Sequence, residues 1–125
     1  MLSARDLNPL SLGGTSASTS NNRRISLTHF TTFLMTLFGE DKLPDQLKDE
    51  EVTVDLFQRF AKFLVIYRPE GRDTDYKKNT AEKYLTGVKS YLEENKKHLP
   101  LFQGEQLWYS KVRYSMINEI VNNNI

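Results

Sequence analysis

"DYKKNTAEKYLTGVKSYLEENKK", residues 75–97, carries six lysines and three tyrosines. At roughly 100° per residue, Ala81, Leu85, Val88 and Leu92 fall on one narrow stripe. That stripe predicts an amphipathic helix whose aliphatic edge faces a core. Asn79 with Glu82 three residues later reads as a capping box with Asn in the cap position. The helix is expected to run out by Leu99-Pro100. Its wet face is either an ordinary solvated surface or one that holds a polyanion, and most of the functional reading turns on which.

Working outward, the same periodicity recurs. In "ISLTHFTTFLMTLFGE", residues 25–40, Phe30, Phe33, Leu34, Leu37 and Phe38 stand at helical spacing and Gly39 is a stop. "EDKLPDQLKDEE" follows as an acidic connector with a proline, and holds six of the chain's sixteen acids. Thr53 is a good N-cap for "TVDLFQRFAKFLVIYR", whose wide apolar face (Leu56, Phe57, Phe60, Ala61, Phe63, Leu64, Tyr67) predicts a central helix. "RPEGRDTD" ends it with Pro69 and Gly71. A fourth helix is expected from about Glu105, with Trp108, Val112, Met116 and Ile120 on one side. No alternating β-pattern stands between turn signals. The fold class expected is therefore all-α, a small four-helix bundle with short loops. Residues 1–24, with the Gly/Ser/Thr/Asn-rich "SLGGTSASTSNN", read as a disordered leader. Residues 25–121 form the helical domain and 122–125 a frayed tail.

The bulk numbers bound the possibilities. A chain of 125 residues, 38% hydrophobic, fits one small domain. The absence of cysteine excludes a disulfide scaffold, a thiolate zinc site and a cysteine nucleophile. The formal net charge is +1, so the chain as a whole is not a basic nucleic-acid binder and any preference must come from charge placement. No apolar run nears the ~20 residues that span a bilayer. "LNPLSLGG" is too short and broken for a signal peptide. An intracellular protein is expected, in the nucleus of a eukaryotic host or otherwise the cytoplasm, with no membrane partner and no small-molecule substrate.

Catalytic constellations are weak. His29 and His98 lack ligand spacing such as H-E-x-x-H; they read as a bundle residue and a helix C-terminal residue. "SLGG" and "PEGRD" lack the phosphate-loop pattern. Asp49-Glu50-Glu51 and Glu93-Glu94 read as solvated faces rather than carboxylates tuned by burial. No cofactor, metal or catalytic residue is expected.

Placement is more informative on the third helix. Thr80, Lys83, Tyr84, Gly87, Ser90 and Tyr91 lie beside the apolar stripe, and Lys77 and Lys78 precede it at the positive end of the helix dipole. Gly87 costs ~1 kcal/mol against alanine in mid-helix, so a packing or docking reason is expected for it. A duplex groove suits the strip: Thr80 and Ser90 can bond phosphate oxygens and Lys83 can neutralise one. The bland alternative is that the lysines serve solubility, Gly87 admits a neighbouring helix, and Tyr84 and Tyr91 are rim-of-core aromatics.

"LFQRFAKFL", then "YKKNTAEKYLTGVKSYL", then "WYSKVRYSMINEI" resembles the N-terminal core-binding (SAM-like) domain of tyrosine recombinases, or phage integrases. The closer likeness is to crypton-like recombinases of eukaryotic mobile elements, over about Leu27 to Ile120. The resemblance implies a helical bundle that clamps one side of a recombination site, with two helices at the major groove. It assigns Asn79, Thr80, Lys83, Tyr84, Gly87 and Ser90 as groove contacts, Lys77 and Lys78 as phosphate contacts, and Lys111 and Arg113 as the second contact. The family's nucleophilic tyrosine, arginines, histidine and lysine lie in a C-terminal domain, and no H-x-x-R stands in this sequence. The expectation is a DNA-binding module for recombination or integration that does not itself cleave DNA, a homo-oligomer on DNA being a further expectation. The alternative is a helical protein–protein interaction module, suggested by the near-neutral charge and the phenylalanine-rich first two helices.

Overall fold

The stripe of Ala81, Leu85, Val88 and Leu92 is turned inward, each side chain at most 1% exposed. The computed structural model describes residues 17–66 and 78–123. They form four α-helices, α1 (Ala17–Phe38), α2 (Val54–Ile66), α3 (Lys78–Asn95) and α4 (Leu107–Asn123), with short 3₁₀ turns between them and no strand among the described residues. The all-α four-helix reading therefore holds. Tyr67, Pro69 and Gly71 lie outside the described residues, as does the expected leader up to residue 16.

Each helix exists because its apolar face has somewhere to go. α2 is the centre, burying Leu56, Phe57, Phe60, Ala61, Leu64 and Val65. Thr53 caps it as expected, its Oγ1 accepting the Leu56 N–H at 3.2 Å. Phe60 is fully buried, with ring centroids 5.1 Å from Phe30 and 5.3 Å from Phe33. Phe57 meets Trp108 of α4 at 4.9 Å and Phe102 at 6.3 Å. Val112, Met116 and Ile120 close the core from α4, with Trp108 at its edge.

α1 begins at Ala17, eight residues ahead of the expected start. Its Ser/Asn-rich first turns have poor intrinsic propensity, but tertiary contact overrides that. Arg23 donates to both carboxylate oxygens of Glu94 at 2.9 and 3.0 Å, and Ser26 is fully buried. The hydroxyls of Ser26, Thr28, Thr31, Thr32 and Thr36 each donate to the carbonyl four residues earlier. Among the described residues no buried hydroxyl is thus stranded in this helix. Gly39, at φ +72°, ends α1 in the left-handed region, as expected of that stop.

The acidic connector is not a plain loop. Residues 44–46 and 49–51 are 3₁₀ turns whose starts are tied by side chains: Gln46 accepts the Leu43 N–H at 2.8 Å and Glu51 the Lys48 N–H at 2.7 Å. Leu47 and Val52 are thereby buried. α3 begins at Lys78, so Asn79 lies inside the helix rather than at its cap. Glu82 accepts from Arg113 of α4 at 3.3 Å instead of closing a capping box. α4 starts at Leu107, two residues after the expected Glu105.

α1 packs most extensively on α3, and α2 on α4. Arg23 meets Glu94 while His29 stacks on Tyr84, so α1 and α3 run antiparallel. Glu93–Gln106, Thr86–Tyr109 and Glu82–Arg113 set α4 antiparallel to α3.

Candidate functional site

α3 is held on two sides and open on a third. Toward α1 it presents Gly87, Tyr84 and Tyr91; toward α4 it presents Glu82, Thr86 and Glu93. Between them, Asn79 and Lys83 are exposed and Ser90 half-buried. With Asn22 and Arg23 of α1, and with Glu82, Thr86 and Gly87, they line a shallow cleft of about 440 Å³. Of the ten residues singled out by sequence, the structure thus brings four together here: Asn79, Lys83, Gly87 and Ser90.

Of the remaining six, four fall elsewhere and two lie outside the described residues. Thr80 is half-buried and does not line the cleft. Tyr84 is packed against the core rim, its ring stacked on His29 at 4.5 Å; Tyr91 is likewise a rim aromatic. Lys77 and the side chain of Lys78 lie outside the described residues. Arg113 reaches the cleft's edge through Glu82. Lys111 does not join this group; it lines a second cleft between α2 and α4, of about 340 Å³, with Trp108, Val112 and Met116.

Gly87 has a packing reason. A Cβ added there would overlap Ser26 Oγ and lie 2.8 Å from Ser26 Cβ. The close approach that Gly87 permits is that of α1, as the bland alternative had it.

The charges of the cleft are mostly compensated. Arg23 holds Glu94, and its hydrogen bonds, then its charge, keep that carboxyl below the ordinary carboxylate range. Arg113 holds Glu82 at 3.3 Å. Lys83 has no carboxylate at ion-pair distance among the described residues. A polyanion laid here would meet one uncompensated ammonium among amide and hydroxyl groups, with one guanidinium able to exchange partners.

The acidic runs lie on solvated faces, as read, with Asp49, Glu50 and Glu94 exposed, and Asp49, Glu51, Glu93 and Glu94 are ion-paired there. Asp49 accepts from Lys96 and from His98, both at 2.7 Å. Glu93 accepts from Lys89 at 2.6 Å and from Gln106 at 3.2 Å. Hydrogen bonds from Lys96 and then His98 lower the Asp49 carboxyl, and that from Lys89 chiefly lowers Glu93. A lowered carboxyl stays ionised and is a poor proton donor near neutrality. Burial pushes the Tyr109 phenol up, although it shares a 2.7 Å hydrogen bond with Thr86. That holds the phenol protonated, the wrong direction for a nucleophile.

Sequence reasoning missed Asn22 and Arg23, because the polar tract around them was assigned to the leader. The Arg23-Arg24 pair immediately before an apolar-periodic run was the signal available.

The family model for the phage integrase SAM-like domain matches residues 7–98. That is 92 of the chain's 125 residues, and it contains α1, α2 and α3. It begins twenty residues ahead of Leu27, where the likeness read from motifs starts, and stops short of α4. The matched unit is the SAM-like domain and not a catalytic one. No curated protein and no solved structure matches the chain. Among the described residues no helix is long and apolar enough to cross a membrane.

Proposed function

The chain belongs to the phage integrase SAM-like domain family, and from that premise we propose that it is a double-stranded-DNA-binding module serving site recognition in recombination or integration. The open face of α3 lies along the duplex. Lys83 neutralises a phosphate, Ser90 and Thr86 offer hydroxyls, and Asn79 offers an amide near the start of the helix, where N–H groups also favour an anion. Arg23 joins them by trading Glu94 for a phosphate, and Lys77 and Lys78 extend the contact at the N-terminal end. Arg113 is a second, weaker contact across Glu82. Lys111, on the far cleft, has no part in this surface. The crypton-like branch of the family is a further part of the proposal and rests on three motifs, F-x-x-F-L, N-T-A-x-x-Y-L-x-G-V-K and W-Y-x-x-x-R. A location with DNA, in the nucleus of a eukaryotic host or the cytoplasm of a bacterial one, is proposed with it.

The observation that carries the reading is the uncompensated Lys83 amid hydrogen-bonding side chains on an exposed helix face. α3 is 18 residues long, or about 27 Å at 1.5 Å per residue, and a major groove about 12 Å wide admits a helix. With few phosphate contacts, binding is expected to be weak and salt-sensitive.

Fluorescence anisotropy with a short labelled duplex tests it. Lys83→Glu should weaken binding at least about tenfold at low salt, and Lys83→Ala should reduce the slope of log K against log salt by about 1. Helicity should stay unchanged in both, since the side chain is exposed. Equal affinity of Lys83→Glu and the parent chain would sink the assignment of this face.

A second reading, a helical protein–protein module with no nucleic-acid role, is favoured by the apolar side chains that α4 turns to solvent. Failure to be retained on heparin at low salt, together with self-association, would support it.

A further inference from the structure

The open face of α3 does not end at Ser90. Eleven positions beyond Lys83 stands Glu94. Three turns on, it returns to within about 20° of the same line along the helix, about 16 Å away. A duplex lying along α3 brings phosphates to that end of the face as well, and a bare carboxylate there would repel them. The chain answers this charge locally. Arg23 of α1 holds both Glu94 oxygens, at 2.9 and 3.0 Å, in the planar fork that a guanidinium also offers to a phosphate. The pair is open to solvent, Arg23 by 29% and Glu94 by 58%. An exposed pair of this kind adds little to stability, so exchanging its partners costs the fold little. The seating of α1 does not depend on it, because Ser26 is buried against Gly87 close by.

We propose, resting on the duplex-binding role of α3, that Glu94 is a built-in competitor for the phosphate at Arg23, a latch that restrains binding. Being part of the same molecule, the carboxylate is present at a high effective concentration, so a single passing anion does not displace it. A duplex does, because the phosphate held by Lys83 brings its neighbours to Arg23 with the same advantage. The other cations around α3 are held less suitably for such an exchange. Lys89 is turned to Glu93 and the Tyr109 ring, on the α4 side. Arg113 meets Glu82 through one longer contact of 3.3 Å. Only the Arg23–Glu94 pair presents a two-pronged carboxylate in the place of a phosphate.

Fluorescence anisotropy of the full chain with a short labelled duplex reads the latch, at about 0.1 M salt, where exposed charges more than about 10 Å apart are largely screened. Glu94→Gln keeps the shape of the side chain and removes its charge; it should tighten binding at least about fivefold. Glu119→Gln removes an equal charge from an ion pair with Lys62, on the α2–α4 side and away from this face; it should change the affinity less than about twofold. Adding Arg23→Gln to Glu94→Gln should return the affinity to that of the parent chain or below. The circular-dichroism spectrum should be the same throughout. No gain from Glu94→Gln, an equal gain from Glu119→Gln, or a gain that survives Arg23→Gln would each overturn the proposal. A general loss of structure would not tighten binding, so the expected gain is not a by-product of a loosened fold. Failure of the duplex-binding role itself gives a different result, in which Lys83→Glu binds as the parent chain does; a parent chain and a Glu94→Gln chain that both fail to bind would overturn the two together.

Discussion

Gly87 shows how one missing methyl group sets the distance between two helices. An alanine there gains ~1 kcal/mol of helix propensity. Its Cβ, however, meets a Ser26 side chain that is fully buried and bonded to the Asn22 carbonyl at 2.7 Å. Neither α1 nor α3 can yield without moving its backbone, so overpacking at about 1–3 kcal/mol prevails. Gly87→Ala should lower the urea midpoint, and adding Ser26→Gly should recover part of the loss although glycine is itself a poor helix former. A Gly87→Ala chain as stable as the parent would show that α1 does not approach where described. The sequence told that Gly87 needed a reason; it did not tell which. A mid-helix glycine looks the same whether its vacancy faces a phosphate or a serine 61 positions away. Lys83 was legible because an exposed lysine needs only the helical period to be placed. Arg23 was not, because its role depends on Glu94, which no local pattern connects to it.

Among the elements, carboxylates act as clips. Asp49 ties the connector to the turn after α3, Glu94 ties α3 to α1, and Glu51 ties its own 3₁₀ turn to Lys42 at 2.7 Å. Each has its carboxyl lowered, Glu51 by the Lys42 hydrogen bond first. A carboxyl that ionises more readily in the folded chain stabilises it at pH above its unfolded value, and that contribution is lost as pH falls through the lowered range. Thermal stability should therefore be flat from about pH 7 to 5 and fall as pH drops below about 4. Asp49→Asn should lower the melting temperature slightly at pH 7 and make the acid loss shallower. Parallel pH profiles for the two chains would show that the clip is not formed. The helix centres were readable from spacing, while the ends were less so. α1 extends through Ser and Asn because α3 is there to receive it. The acidic connector folds into 3₁₀ turns because Gln46 and Glu51 reach back to backbone N–H groups and Leu47 and Val52 find the core. Those gains come from tertiary contact, which periodicity does not report.

At the scale of the molecule, stability is concentrated where α1 and α2 cross. Phe60 is wholly enclosed by Phe30 and Phe33, with Phe63 beside it at 6.1 Å. Phe60→Ala should cost about 3–5 kcal/mol from a total of about 5–15. A chain unfolded or nearly so at 37 °C is expected, against a loss under ~1 kcal/mol for a rim change such as Tyr91→Phe, both read by urea denaturation. Which faces are buried could be read from four apolar stripes; which helices pair could not. The stripes name no partner, so the union of α1 with α3 had no trace in the spacing of either. That union has a consequence for a chain still leaving the ribosome. About forty residues separate the end of α1 from the start of α3, several seconds of synthesis at about 5–20 residues per second. Through that interval the Ser26 edge of α1 has only solvent or a chaperone for company. That edge, although made before α2, is among the last surfaces of the bundle to be covered.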